Sequence, residues 1–332
     1  MHGLTIRQVL LYLLVATLAA VTGWYAHAWY VRHQEPHGER RVVLKGYQFT
    51  SPLLDVELPE GFTINSEPLP FKYKIEAFIR KKIDEGQVKS VAVYYRDLHD
   101  GPWFGIHEDI EFNTASMTKV PVMVAWLKRA EKDRFVLERR FRYDPSQNPV
   151  PEQFTKPARS LTPGQSYTVD ELLHYMMNYS DNKATSLLFK ALSDPELGEV
   201  LDSMDVNNNP RDGSNFMTVH GFSGFFRILY NASYLNREMS EKALQLLSLQ
   251  DFPQGIAAGV PKGITVAAKF GEIVPDDGRA EVQLHEFGIV YHPGSPYILG
   301  IMTQGGVFSQ QAGIIRDISR MIYSEVDSTI GH

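Results

Sequence analysis

Three short runs of this sequence hold the residue types that nucleophilic chemistry at a carbonyl needs. In the first, Asn113-Thr114-Ala115-Ser116-Met117-Thr118-Lys119, a polar stretch gives way to Met117, Val120, Val124 and Leu127 at helical spacing. Ser116 therefore falls at or just before a helix start, a position favoured for serine as N-cap. Lys119, three residues on, can fold back over the same face. A serine hydroxyl is a weak nucleophile until a neighbouring base takes its proton, and a lysine desolvated among apolar side chains can be neutral enough to be that base. Backbone N–H groups at the helix start would steady an oxyanion forming beside the serine. By itself Ser-x-x-Lys also describes an N-cap followed by a surface lysine, and Ser180 with Lys183 repeats the pattern.

The second run, Ser180-Asp181-Asn182, lies between two helical patterns and alone would read as a set of good N-caps. The third, Lys269-Phe270-Gly271-Glu272, comes at the end of an apolar, partly β-branched stretch, 264–269, with strand character. Ser116 precedes Ser180 by 64 residues, and Lys269 comes 89 residues later. Two lysines beside one serine each depress the other's pKa, which favours a neutral Lys119.

In order, spacing and secondary-structure context the three runs resemble the Ser-x-x-Lys, Ser-Asp-Asn and Lys-Thr-Gly set of class A β-lactamases and penicillin-binding proteins, over about residues 71–328. The resemblance implies that Ser116 is acylated, Lys119 accepts its proton and Ser180 relays a proton to the leaving nitrogen. It implies that Asn182 holds the substrate amide and Lys119, and that Lys269 attracts a substrate carboxylate. Gly271 would let substrate lie against the strand edge, with the oxyanion between the N–H groups of Ser116 and Glu272. Two departures stand out. Phe270 occupies the place of a hydroxyl that contacts the substrate carboxylate, and its ring is expected to block that contact. Between Val206 and Val219 there is no glutamate of the kind that activates the deacylating water in class A enzymes; Asp212 is the only acid.

These runs need a scaffold, and the patterning supplies one. Residues 71–85 read as an amphipathic helix, and 88–95 and 103–106 as a hairpin. The Ser116 helix comes next, then an irregular, proline-rich stretch over 133–167. Thr168 and Glu171 form a capping box for the next helix, and further helices are expected after Asn182, from Asp194, and over about 216–235 and 239–249. Within 220–225 a near match to a Gly-x-Ser-x-Gly elbow fails at Phe225. Strands return at 264–269, 281–291 and 296–303, and a helix over about 308–326 closes the chain. The expected fold class is α/β: a five-stranded antiparallel sheet flanked by helices, with an inserted all-helical lobe over about 117–260.

Composition sets the outer limits. At 332 residues and 43% hydrophobic the chain can bury a large core, and a net charge of −6 without basic clusters argues against nucleic acid. With no cysteine, disulfides and thiolate chemistry are excluded, and eleven scattered histidines show no metal-ligand spacing. No cofactor is implied. After an eight-residue flank, residues 9–30 are apolar, long enough to cross a bilayer and end in Trp24, Tyr25, Trp29 and Tyr30. They read as a membrane anchor, with a cleaved signal peptide as the rival because Ala26-His27-Ala28 resembles a cleavage site. Basic residues are fewer before this segment than after it, and a positive-inside count runs against export of the C-terminal side. Residues 31–69 read as a stalk and 70–332 as the catalytic domain.

The whole reads as an anchored, extracytoplasmic serine acyl hydrolase, secreted if the leader is cleaved, acting on β-lactams or peptidoglycan peptides through an acyl-enzyme. A DD-peptidase or esterase is the near alternative. A catalytically weak member that binds peptidoglycan or a protein is the alternative from another class.

Overall fold

The computed structural model describes Thr22 and residues 47–51, 71–98, 101–150, 153–203, 215–275 and 281–330. The chain divides into two units, residues 1–45 with 52–54 and residues 46–51 with 55–332; every described residue except Thr22 belongs to the second. Among the described residues no helix is long and apolar enough to cross a membrane. The expected anchor, apart from Thr22, lies outside them, as do Val206 and Asp212.

Helix α1 (Phe71–Asp84) is followed by strands β1 (Ser90–Asp97), β2 (Trp103–Ile106) and β3 (Phe112–Asn113). The helical lobe holds α2 (Lys119–Lys132), the short strands β4 (Arg140–Arg142) and β5 (Ser166–Thr168), then α3 (Val169–Asn178), α4 (Asn182–Lys190) and α5 (Asp194–Asp202). Strand β6 (Phe216–Met217), α6 (Val219–Asn231) and α7 (Arg237–Ser248) lead to β7 (Val266–Ile273), β8 (Gln283–Val290), β9 (Tyr297–Gln304) and α8 (Phe308–Ile330). The main sheet has five strands in the order β2-β1-β9-β8-β7, each pair antiparallel. That is the expected architecture, and it leaves β7 at an edge.

Period-two alternation builds the layers. In β1, Val91, Val93 and Tyr95 join Leu299, Ile301 and Phe270 in a core closed by Ile75 and Ile79 of α1 and by Ile315, Ile318 and Ile322 of α8. Ala92 and Tyr94 point the other way, with Ala267, Phe287 and Met302, into a core shared with the lobe. Helix α2 is the lobe's axis and is buried nearly all round, from Lys119 through Leu127. Trp126 satisfies its indole N–H on the Leu188 carbonyl at 3.1 Å. The Thr168–Glu171 capping box forms as expected.

Four local features differ from the sequence expectations. The Lys269-Phe270-Gly271-Glu272 run lies within β7 rather than at its end, because the strand continues to Ile273. Arg140–Arg142 and Ser166–Thr168 pair inside the stretch expected to be irregular. Phe216 and Met217 pair with β3 instead of opening a helix. Residues 47–51, placed in the stalk, dock on the domain. Phe49 and Thr50 are buried, the Gln48, Phe49 and Thr50 N–H groups donate to the Glu241 carboxylate, and Ser51 N–H donates to the Tyr230 carbonyl at 2.7 Å.

Candidate active site

Ser116 sits in a 3-10 turn, Ala115–Thr118, directly ahead of α2, and does not cap the helix. The turn rests on β7. A Cβ on Gly271 would lie 2.7 Å from the Thr114 carbonyl oxygen and 3.1 Å from the Met117 nitrogen. Glycine is needed there so that the serine turn can approach the strand, which is a different reason from the substrate contact expected of it. From behind, His285 Nε2 lies 3.0 Å from the Asn113 carbonyl and its Nδ1 accepts the Thr303 N–H at 3.2 Å. Burial holds this imidazole neutral, with its pKa near 4, and the two contacts fix the tautomer with the proton on Nε2.

Lys119 and Lys269 reach the site from opposite sides. Lys119 Nζ is 2.8 Å from Ser116 Oγ, 2.9 Å from Ser180 Oγ, 2.8 Å from the Ser180 carbonyl and 2.7 Å from Asn182 Oδ1. Lys269 Nζ is 2.9 Å from the same Ser180 Oγ and donates to the Phe270 carbonyl at 2.9 Å. Burial depresses the Lys119 pKa to about 7, against the opposing pull of Asp181 and Glu272. Lys269 is held well below the lysine range by burial and then by Lys119. Ser180 reaches both ammonium groups from a left-handed backbone, φ 55°, and Ala115 beside the nucleophile has φ 49°. Non-glycine residues held this way cost about 1–3 kcal/mol each and are characteristic of functional sites.

Asp181 caps α4 through the Lys183 N–H and also accepts the Leu161 N–H at 2.9 Å. Asn182 N–H donates to Gln153 Oε1 at 3.0 Å. On β7, Phe270 N–H donates to Gln250 Oε1 at 2.6 Å, away from β8. Strand alternation then turns the Glu272 N–H toward the same open edge, where an oxyanion donor is required. The Glu272 carboxylate accepts the Thr155 N–H at 2.7 Å and the Thr155 hydroxyl at 2.5 Å.

The Phe270 ring does not block the site. It is 3% exposed and stacks on Phe252 with centroids 4.3 Å apart, within the core under α1 and α8. Its consequence for the site is the absence of a hydroxyl, together with a Lys269 Nζ seated 4.2 Å from the ring centroid. Ser223 of the near-match elbow is buried in α6 with its hydroxyl on the His220 carbonyl.

The structure thus brings Ser116, Lys119, Ser180, Asn182, Lys269, Gly271 and Glu272 together. Sequence reasoning missed Gln153, Thr155, Gln250 and Glu286. The last is fully buried opposite Phe270, accepts from Gln250 and from the Ile256 N–H, and has its pKa pushed up to about 7 by burial. Its signal was available: His285-Glu286 interrupts an otherwise apolar strand, and buried charge is rarely placed without a partner.

Comparison with known proteins gives the same family and fold that the motifs implied. The profile of the β-lactamase enzyme family matches residues 71–326. Among solved structures, a PBP-A variant as an acyl-enzyme complex with penicillin G superposes with a TM-score of 0.64 at 23% identity, covering 77% of this chain and 97% of that one. A β-lactamase from Sphaerobacter thermophilus gives 0.66 at 18% identity, covering 78% and 99%. A class A β-lactamase from Mycobacterium abscessus gives 0.65 at 22%, covering 76% and 99%. A comparison with curated sequences returned no match. By its profile and fold, the chain belongs to the β-lactamase enzyme family and is a serine hydrolase of the β-lactamase and penicillin-binding type.

Proposed function

We propose that this protein hydrolyses an acyl donor through an acyl-enzyme on Ser116. The observation that carries the reading is the placement of one Lys119 nitrogen within hydrogen-bond reach of both Ser116 Oγ and Ser180 Oγ. A neutral Lys119 takes the Ser116 proton as Oγ attacks the carbonyl carbon. The N–H groups of Ser116 and Glu272 receive the oxyanion. As the tetrahedral species collapses, Ser180 passes a proton to the leaving group and is replenished from Lys119. Lys269 holds the Ser180 hydroxyl in place. Water then attacks the ester. The carboxylates found beside the two lysines, Asp181, Glu272 and Glu286, each accept a backbone N–H, and among the described residues none of them hydrogen-bonds Ser116 Oγ, beside which that water must sit.

Substrates of the family's kind, β-lactams or cell-wall peptides, are supported by membership and by the penicillin adduct of PBP-A. An extracytoplasmic domain held by residues 9–30 is the placement that the apolar leader supports. The test is intact-mass analysis after exposure to a panel of β-lactams, neutral esters and a fluorophosphonate. An adduct mapped to Ser116 and lost in Ser116→Ala is expected. No adduct with any probe, or one mapped to Ser180, overturns the reading.

A further inference from the structure

The active site continues at Asn182 into a cleft of about 320 Å³. Gln153, Asp181 and Asn182 of the site line it together with Lys156, Ser160 and Lys183. Its donors lack acceptors. Among the described residues neither Lys156 nor Lys183 has an ion pair, and the Lys183 ammonium lies 5.7 Å from the centroid of the Tyr143 ring. The Ser160 hydroxyl oxygen is buried without a hydrogen-bond partner. Asp181 is the one acid among the described residues that line the cleft. It is 1% exposed, with its oxygens on the Leu161 and Lys183 N–H groups at 2.9 Å each. Two ammonium groups against one buried carboxylate leave the cleft net positive.

Resting on the Ser116 reading, we propose that Lys156 and Lys183 form an anion subsite for the acyl half of the substrate, so that donors with a carboxylate on the acyl side chain are preferred. The attacked carbon has four neighbours: Ser116 Oγ, the oxyanion, the leaving group and the acyl chain. The leaving group lies beside Ser180 Oγ, which supplies its proton and is bonded to Lys269 of β7. The other flank of Ser180 is Asn182, where the cleft begins. The acyl chain takes that flank, and its substituents then face the two lysines. A carboxylate on the leaving group, such as the one all penicillins carry, is read elsewhere and is unaffected by this selection.

The local structure supports an anion rather than a neutral group. Lys183 stands in the first turn of α4, and that turn holds no acid. A cation there works against the helix dipole, so the lysine adds its charge to a terminus that is already positive. A carboxylate arriving in the cleft gives both ammonium groups an acceptor, through charge-assisted bonds, and brings an oxygen to the orphaned Ser160 hydroxyl. An ammonium arriving there meets two like charges. Lys156 is exposed, so solvent screens each effect, and the attraction of one substituent and the repulsion of the other must be read together.

The test uses three penicillins that share one bicyclic nucleus and one leaving nitrogen: benzylpenicillin, carbenicillin and ampicillin. They differ only at the carbon that bears the phenyl ring, which carries hydrogen, a carboxylate or an ammonium. In each, Ser116 Oγ forms the new C–O bond, the lactam C–N bond breaks, and the nitrogen takes the serine proton by way of Lys119 and Ser180. The ring-opened group stays attached, so the adduct has the full mass of the penicillin. Acylation rates of the full chain are followed by intact mass, each divided by the rate of lactam hydrolysis without enzyme. Carbenicillin should acylate Ser116 fastest and ampicillin slowest, about tenfold apart, the sum of one screened attraction and one screened repulsion. Lys156→Met with Lys183→Met should bring the three rates together. Equal rates or the reverse order in the native protein, or an order unchanged in the double variant, overturns the proposal. Lys156→Met alone, at an exposed position, should narrow the spread and decides the matter if the double variant does not fold. Labelling by fluorophosphonate but by no penicillin also overturns the proposal, with the Ser116 reading intact; no labelling by anything shows that the Ser116 reading itself has failed.

Discussion

Lys119 and Lys269 converge on a single oxygen: each Nζ lies 2.9 Å from Ser180 Oγ. Two ammonium ions cannot both stay charged at that separation in a buried site, so at least one proton is shed near neutral pH. The hydroxyl between them is the natural channel for the proton that Lys119 takes from Ser116.

This pairing sets a pH dependence. Lys119 is a base only when neutral, and its pKa is about 7. Acylation under kcat/KM conditions should rise through pH 7, level off above it, and fall about tenfold per unit below it. The fold carries the same imprint. Between pH 7 and the ordinary lysine pKa of about 10.4 the unfolded chain binds a proton that the folded chain does not, so stability should rise with pH across that window. A rate that is flat from pH 5 to 9 would exclude Lys119 as the base.

Phe270→Thr should not improve acylation. The ring packs on Phe252 in the core, and removing a buried phenyl costs about 3–5 kcal/mol, less whatever the threonine refills. Denaturant unfolding should show a loss of roughly 3 kcal/mol. A variant as stable as the parent, with faster acylation, would return the ring to the substrate pocket.

Gly271→Ala should act on the nucleophile rather than on substrate contact. The added methyl meets the Thr114 carbonyl at 2.7 Å, and a backbone oxygen has nowhere to turn. The 3-10 turn must lift, and a shift of about 1 Å at the reacting atom costs on the order of 10² in rate. Acylation by a small ester that makes no strand-edge contact should fall as far as acylation by a peptide; loss confined to the peptide would restore the substrate role.

Deacylation should be the slow half-reaction. General-base assistance contributes about 10²–10⁴-fold, and among the described residues no carboxylate hydrogen-bonds Ser116 Oγ, beside which the deacylating water must sit. With a chromogenic donor, stopped-flow traces should show a burst of one product per enzyme and then slow turnover. Steady turnover without a burst would direct attention to Asp212, and a large loss of rate in Asp212→Asn would assign it the water.

Much of the fold and site is legible in the sequence, for identifiable reasons. Periodicity finds the sheet and the lobe because nearly every strand and helix buries one face, as in Val91, Val93 and Tyr95 against Ala92 and Tyr94. Motif order finds Ser116, Lys119, Ser180, Asn182 and Lys269 because acyl transfer demands those groups in one place. Phe270 is misjudged from its motif because the direction of a single side chain depends on strand register, which a motif does not contain. Ser116 reads as a cap because a 3-10 turn and an α-helix share their first hydrogen-bonding signals. Gln153 and Thr155 are invisible because their partners, Asn182 and Glu272, lie 29 and 117 residues away, and only the folded chain brings them together.

The docking of residues 47–51 has a mechanical consequence. Three successive amides grip the Glu241 carboxylate, Tyr291 Oη holds the Phe49 carbonyl at 2.9 Å, and Arg237 reaches the Ser51 carbonyl. Tension entering from the N-terminal side is therefore borne first by side chains of α7 and β8's exit, well before it reaches α1. A leash attached upstream of Tyr47 would tug on a strain-relief clamp, and the catalytic groups would feel none of the pull until that clamp had torn loose.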